Sequence, residues 1–181
     1  DLVTLWEGLQ SGTVGGTGAT LYEKAYIGST GAAFYTGNSS NAADITDAGI
    51  RKLLLLLDNA DVPMDNRSMV VPPIAANDML GINRFTEQQF IGSGDAIKTG
   101  KIGSIYGVDV FISSNCPTAT STDRVGAIIH KDAFALAEQV GVRSQTQYKQ
   151  EWLGDLFTSD TIYGVAELRN TAGVAFVVPG T

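Results

Sequence analysis

This chain is poor in the side chains that most often do chemistry. Among its 181 residues there is one cysteine, Cys116, and one histidine, His130. A lone cysteine closes no intramolecular disulfide, which excludes a disulfide scaffold and a thiolate zinc site. A metal site built on His130 would need carboxylates for every other ligand, and none stands at ligand spacing around it. Cations are scarce as well: 12 Lys and Arg face 19 Asp and Glu, for a net charge of -7 and a pI near 4.5. Nucleic-acid binding through counterion release needs clustered Lys and Arg, so a generally basic surface is excluded and only a local patch is left open. No apolar run exceeds five residues, as at positions 53–57, against the roughly 20 that a membrane-spanning helix requires. The opening residues do not read as a signal peptide either.

What is present is the composition of a folded domain. With 44% hydrophobic and 17% charged residues, a chain of this length buries a sizeable core, as one folding unit or two small lobes. Glycine is the outlier at 21 residues, well above the usual share of about 7%, so turns and close backbone approaches must be frequent.

Leu2, Leu5, Trp6 and Leu9 fall at helical spacing from the first turn. A buried-face pattern that starts so abruptly predicts a chain beginning inside a helix, with an N-terminal region preceding it. Residues 11–41, rich in Gly, Ser, Thr and Asn, read as an irregular excursion with at most short strands. So long a stretch is unusual inside a compact domain, which implies that it is held against something else. The clearest helix covers residues 47–60. Thr46 is its N-cap, Ile45 and Ile50 occupy the staple positions, and Ile50, Leu53, Leu54 and Leu57 make an i, i+3, i+4, i+7 face. Leu55 and Leu56 widen that stripe and predict burial on more than one side. Pro63 stops the helix, a strand over 68–71 follows, Pro72 and Pro73 end it, and a second short helix covers 74–80.

Residues 84–100 read as a connection with one helical turn at 86–90. Val108, Val110 and Ile112 alternate with Asp109, Phe111 and Ser113, the mark of a strand. Residues 125–129 form a more apolar strand, and the alanine-rich run 131–139 predicts a helix with Phe134 and Ala137 inward. From Gly141 to Trp152 the chain alternates again, with Arg143, Gln145, Gln147, Lys149 and Glu151 on one side and Val142, Ser144, Thr146, Tyr148 and Trp152 on the other. That segment is too long and too polar for a core strand and reads as an extended, partly exposed ribbon. Residues 165–169 and 174–178 supply one or two closing strands.

Motifs that could carry chemistry fail in detail. The glycine-rich stretch 12–18 lacks both a preceding strand and a following Lys-Ser/Thr pair, so it reads as a loop rather than a phosphate cradle. Thr99, Gly100 and Lys101 echo a P-loop, but Ile102 and Asp95 stand where the pattern needs Ser/Thr and Gly. His130 lies at a strand-to-helix junction, where capping or packing is its expected role. A Cys116–His130 nucleophile pair has no marked oxyanion hole. Asp58, Asp61 and Asp65 lack the glycine and terminal Glu of a calcium loop and read as solvated polar ends. Trp152, Tyr148, Trp6 and Phe157 either plug the local core or anchor a neighbouring subunit, where aromatics are enriched. The sequence thus predicts no catalytic residue, no metal and no cofactor.

One resemblance orders these pieces. Residues 56–73, LLDNADVPMDNRSMVVPP, are similar to the pattern of the tailed-phage major capsid protein family, in which a helix ending Leu-Asp and Val-Pro leads to Arg, Val-Val and Pro. Residues 103–110, GSIYGVDV, with Ser113, Ser114 and Asn115, resemble its next signature, and residues 130–137, HKDAFALA, the one after. Order and spacing over about residues 42–180 carry the likeness. The same shell fold is shared with encapsulin nanocompartments.

The resemblance implies an α+β fold with axial and peripheral domains. Residues 1–43 would be the end of a spine helix and a connecting loop in the peripheral domain, 44–140 the axial domain, and 141–181 extended strands returning to the peripheral domain. The N-terminal arm and the extended loop that the family carries upstream are not in this sequence, and no crosslinking chemistry is assigned. The implied function is a coat protein assembling as a homo-oligomer, in pentamers and hexamers of an icosahedral lattice, around the double-stranded DNA of a tailed phage. It would enclose that DNA without sequence-specific binding and engage no membrane. Scaffolding, portal or decoration proteins are the other implied partners, and the virion, assembled in the host cytoplasm, is the implied location. The alternatives are an encapsulin-like shell and, from another class, a small cytoplasmic enzyme with carboxylates on the loops after Val71 or Ile112. A deep pocket with converging carboxylates separates that last reading from the others.

Overall fold

The computed structural model describes Trp6, Leu9 and residues 25–31, 41–82, 103–119 and 122–180. The element order is β1 (Tyr26–Ile27), α1 (Asp47–Asn59), β2 (Arg67–Val71), α2 (Pro73–Leu80), β3 (Ser104–Ile105), β4 (Val108–Ile112), β5 (Arg124–His130), β6 (Phe134–Lys149), β7 (Gly154–Glu167) and β8 (Gly173–Val178). Six strands form one mixed sheet in the order β1-β8-β5-β2-β4-β3, and β6 and β7 form a separate two-stranded ribbon.

Helix α1 begins where its capping chemistry predicts. Thr46 Oγ1 accepts the Gly49 N–H at 3.1 Å and donates to the Ser29 carbonyl, so one hydroxyl caps the helix and ties it to the turn at 28–31. A Cβ on Gly49 would stand 1.8 Å from the Gly28 carbonyl oxygen, so only glycine lets that turn lie against the first turn of α1. Ile50, Leu53 and Leu57 are buried, whereas Leu55 is 46% exposed. Of the two extra leucines, Leu56 is half-buried against the core and Leu55 alone points away, so the covered stripe is widened but one side of the helix stays open. Pro73 starts α2 at a position where a missing N–H costs nothing.

At the α1–β2 joint the buried Arg67 donates to the Asp58 carboxylate at 2.7 Å and to the carbonyls of Val62 at 2.6 Å and Pro63 at 2.8 Å. One guanidinium thus satisfies three acceptors where the helix stops and the strand begins. Met69 pairs with Ile128, on the same side of the sheet as Arg67, and this side faces α1. The opposite side, with Ile129 and Gly173, is covered by Leu9, whose methyl would stand 2.6 Å from a Cβ on Gly173. Leu9 and Trp6 are both buried, which agrees with the inward face read at residues 2–9; the helix expected there lies mostly outside the described residues. So do residues 84–100 and the glycine-rich stretch 12–18.

Every residue of β8 is buried, and β8 pairs antiparallel with β5 and parallel with β1. Residues 141–181 thus divide between the ribbon and the middle of the sheet, and position 140/141 falls inside β6. The alanine-rich run at 131–139 is no helix: a single 3-10 turn, Lys131–Ala133, leads straight into β6. Alanine's helical preference is a few tenths of a kcal/mol and yields to pairing, here of Ala135 with Ala166 and of Leu136 with Val165. The matching strand β7 was not expected from residue 154; its far end alone coincides with the strand expected at 165–169.

Candidate subunit interface

At its base the ribbon packs on the core through Phe134, but beyond that point it stands out from the sheet. β6 runs for 16 residues and β7 for 14, and neither contains a buried residue. An isolated two-stranded hairpin is at best marginally stable in water, and three strands or a packed face are the usual requirement. What holds this one to the sheet is its base. Leu168 N–H donates to the Ala133 carbonyl at 2.9 Å, and Arg169 reaches the Ala60 carbonyl at the C-terminus of α1 at 2.6 Å, where a cation is favoured by the free carbonyls. Across the strands Arg143 Nε shares its hydrogen between both oxygens of Asp160 at 2.9 and 2.7 Å; as an exposed pair it contributes at most about 1 kcal/mol.

The register sorts side chains by face. Gln145 opposes Thr158, Gln147 opposes Leu156 and Arg143 opposes Asp160 on one side. On the other side Thr146 opposes Phe157, Tyr148 opposes Asp155, Glu138 opposes Tyr163 and Leu136 opposes Val165. β6 holds extra residues between Glu138 and Arg143, where the register shifts twice. Such bulges bend a strand and raise its twist, and Thr161 Oγ1 donates to the Val140 carbonyl at 2.9 Å across this point. The turn at the tip presents Trp152 and Leu153, 80% and 83% exposed. Leu153 stands at φ 49, a left-handed conformation that a branched side chain rarely adopts.

The residues singled out in the sequence separate cleanly. Trp6 is a core residue, while Tyr148, Trp152 and Phe157 are exposed on or next to the ribbon, as an interface anchor should be before it meets its partner. Leu136, Tyr163 and Leu153 belong with them; Leu136 falls in the run 131–139 that reads as a helix, and the other two escaped notice because the β7 hairpin did. His130 caps the 3-10 turn, its Nδ1 accepting the Asp132 N–H at 3.2 Å. Cys116 is buried near the opposite end of β5, where Arg124 lies 3.5 Å from its carbonyl. Arg124 and His130 are the two ends of a seven-residue strand, about 20 Å apart, so no Cys–His pair exists. Burial pushes the Cys116 thiol from 9.0 to about 11, against the lowering effects of the Arg124 charge and of a backbone hydrogen bond. A thiol held neutral in this way is a packing group.

Among the described residues carboxylates do not converge either. The hollow that opens beyond Val71 and Ile112, about 240 Å³, is lined by Pro72, Pro73, Ile74, Ser114, Cys116, Arg124 and Gly180, with no acidic side chain. Asp58 holds Arg67, so it is a structural partner rather than a merely solvated end. Partial burial, and secondarily the charge of Asp44, raises the pKa of Asp78 on α2. No group of three or more His, Cys, Asp or Glu side chains that could hold a metal occurs among the described residues, and no helix among them is long and apolar enough to cross a membrane.

No protein-family model and no curated protein sequence matches this chain. Solved structures do. A structure from Mycobacterium phage Che8 superposes with a TM-score of 0.66 at 22% identity over 85% of this chain and 53% of that one. The capsid of cyanophage P-SCSP1u gives 0.63 at 15% identity over 76% and 48%, and the mature capsid of bacteriophage PhiM1 gives 0.58 at 17% over 73% and 45%. The chain has the phage capsid-shell fold, an α+β arrangement of mixed sheet and helices. It spans about half the length of the solved chains it matches.

Proposed function

We propose that this chain is part of a major capsid protein that self-assembles into the icosahedral shell of a tailed phage, around double-stranded DNA. The observation that carries this reading is the ribbon: 16- and 14-residue strands without one buried residue, in a fold whose neighbours include phage capsids. The chain spans about half the length of those neighbours, so the ribbon's cover comes from the rest of the protein or from sister copies; in a shell, many modest contacts repeated around closed rings sum to a stable container. On this reading the mixed sheet with α1 and α2 is the axial lobe, pentamers and hexamers form around it, and the ribbon with the segment bearing Trp6 and Leu9 belongs to the peripheral lobe. A net charge of -7 suits a wall to which packaged DNA must not adhere. The protein does structural work and has no catalytic step.

Electron microscopy of the protein at its natural length, produced alone or with its scaffolding partner, tests this. Shells or capsomers are expected, with DNA and not an enzyme as the cargo of mature particles. Monodisperse small particles under all assembly conditions count against the reading, and shells filled with a protein cargo would assign it to nanocompartments instead.

A further inference from the structure

The one histidine of the chain stands where the sheet hands over to the ribbon. β5 belongs to the sheet and β6 to the ribbon, and only the 3-10 turn Lys131–Ala133 lies between them. His130 closes that turn from its N-terminal side. It is 3% exposed, and its Nδ1 accepts the Asp132 N–H at 3.2 Å. A ring nitrogen that accepts carries no proton, so the ring in this arrangement is neutral, with its hydrogen on Nε2. The turn in its turn holds the foot of the ribbon. The buried Ala133 offers its carbonyl to the N–H groups of Leu168 at 2.9 Å and Arg169 at 3.4 Å, just past the end of β7, and Lys131 N–H donates to the Asn66 carbonyl at 3.3 Å, just before β2.

A proton on Nδ1 reverses the capping bond. Both ring nitrogens are then donors, and neither can accept the Asp132 N–H. Among the described residues the carboxylate within reach of the ring is that of Asp132 itself, with Oδ2 3.5 Å from Nδ1; it is exposed. The inner side of the joint offers the opposite charge. Arg67 of β2 is the partner of His130 across the strand pair, is buried as well, and already holds Asp58 of α1 at 2.7 Å. Arg169 is spent on the Ala60 carbonyl at the end of α1. Lys131, Asp61 and Asp65 are exposed, and the half-buried Glu167 stands opposite Phe134. A buried imidazolium beside a guanidinium whose carboxylate is taken is unfavourable, so the charged ring is drawn outward to Asp132.

We propose that His130 is an acid-sensitive latch at the joint of sheet and ribbon. Neutral, it caps the 3-10 turn and keeps the foot of the ribbon in place; protonated, it exchanges the Asp132 N–H for the Asp132 carboxylate and loosens that foot. The latch lies within one chain, so it goes beyond the shell reading and does not depend on what covers the ribbon.

Hydrogen exchange on the dispersed protein at its natural length tests this between pH 7.5 and 5.0, a window that spans the ordinary imidazole titration near 6.5 and stays above ordinary carboxylates near 4. Rates are expressed as protection factors, which removes the intrinsic pH dependence of amide exchange. Exchange of the ring C2 hydrogen, read on the peptide that contains residue 130, reports the protonation of the ring at each pH. In the parent the amides of residues 132–134 and 168–169 are expected to lose about tenfold in protection as the ring protonates, the worth of a lost cap, while those of β8 stay unchanged. His130→Asn keeps an acceptor for the N–H two residues on and takes up no proton, so its protection is expected to be the same at both ends of the window. His130→Phe has no acceptor and is expected to be loose at both; circular dichroism checks its folding, and if it does not fold the parent and His130→Asn decide. A ring that protonates while those amides keep their protection, a ring still neutral at pH 5.0, or an equal loss in His130→Asn would overturn the latch. None of these results bears on whether the protein builds shells.

Discussion

At the scale of single residues, Arg67 and Cys116 do opposite kinds of work. The Arg67 guanidinium satisfies one carboxylate and two carbonyls at the α1–β2 joint, so Arg67→Ala strands buried acceptors as well as deleting a contact. The expected loss is about 2–4 kcal/mol in urea denaturation. Arg67→Lys should recover only part of it, since an ammonium cannot reproduce the planar fork. Cys116 acts through what it refuses to do. Its folded pKa of about 11 lies above the ordinary 9.0, so the folded chain keeps a proton that the unfolded chain gives up. The stability linked to it is fully present below about pH 9 and declines as pH rises through about 11, by about 2–3 kcal/mol in all. Denaturation midpoints of the parent and of Cys116→Ala, measured from pH 8 to 11.5, should therefore converge at the alkaline end, the difference between the two cancelling the Tyr and Lys ionisations they share. A constant gap across that range would show that the folded thiol ionises where the unfolded one does, and that burial does not hold its proton.

At the scale of elements, what could be read in advance is what local physics writes. Thr46, the staple of Ile45 and Ile50, and the stop at Pro63 are all within a few residues of the helix they define, and α1 lies at Asp47–Asn59. The alternation at Val108–Ile112 and the apolar run at Arg124–His130 are strands for the same reason. The ribbon is different, because its two strands define each other. Residues 131–139 contain Ala133, Ala135 and Ala137, which favour a helix when no partner is in view, while residues 154–164 set two apolar pairs among Gly, Asp, Ser and Thr and show no alternation that marks a strand. Only the pairing of Leu136 with Val165 and Glu138 with Tyr163 reveals either as strand. The candidate interface was accordingly half visible: Tyr148, Trp152 and Phe157 stood out as aromatics in an extended setting, and Leu136 and Tyr163 did not. Arg169, which pins the ribbon to α1, gave no local signal, since its partner Ala60 is 109 residues away.

At the scale of the whole molecule, stability should be unevenly distributed. The sheet is cooperative: β8 is buried throughout, Phe176 lies over Gly126 so closely that a Cβ there would meet the ring at 2.4 Å, and Leu53 and Leu57 close the α1 side. The ribbon has backbone pairing but no apolar cover, and regions of that kind open at a lower free energy than the core they join. In a dispersed subunit, backbone amides of residues 143–160 should therefore exchange with solvent far faster than those of β5 and β8. Assembly changes only the cover. If sister copies supply it, the same ribbon amides should slow by about a hundredfold or more in shells, equivalent to about 2.7 kcal/mol, while amides of β5 and β8, already governed by the core, should change little. Hydrogen exchange read by mass spectrometry on dispersed and assembled protein makes the comparison peptide by peptide. Ribbon amides that are already as protected as β8 in the dispersed subunit would mean that the protein covers this ribbon by itself, and the ribbon would no longer argue for neighbours.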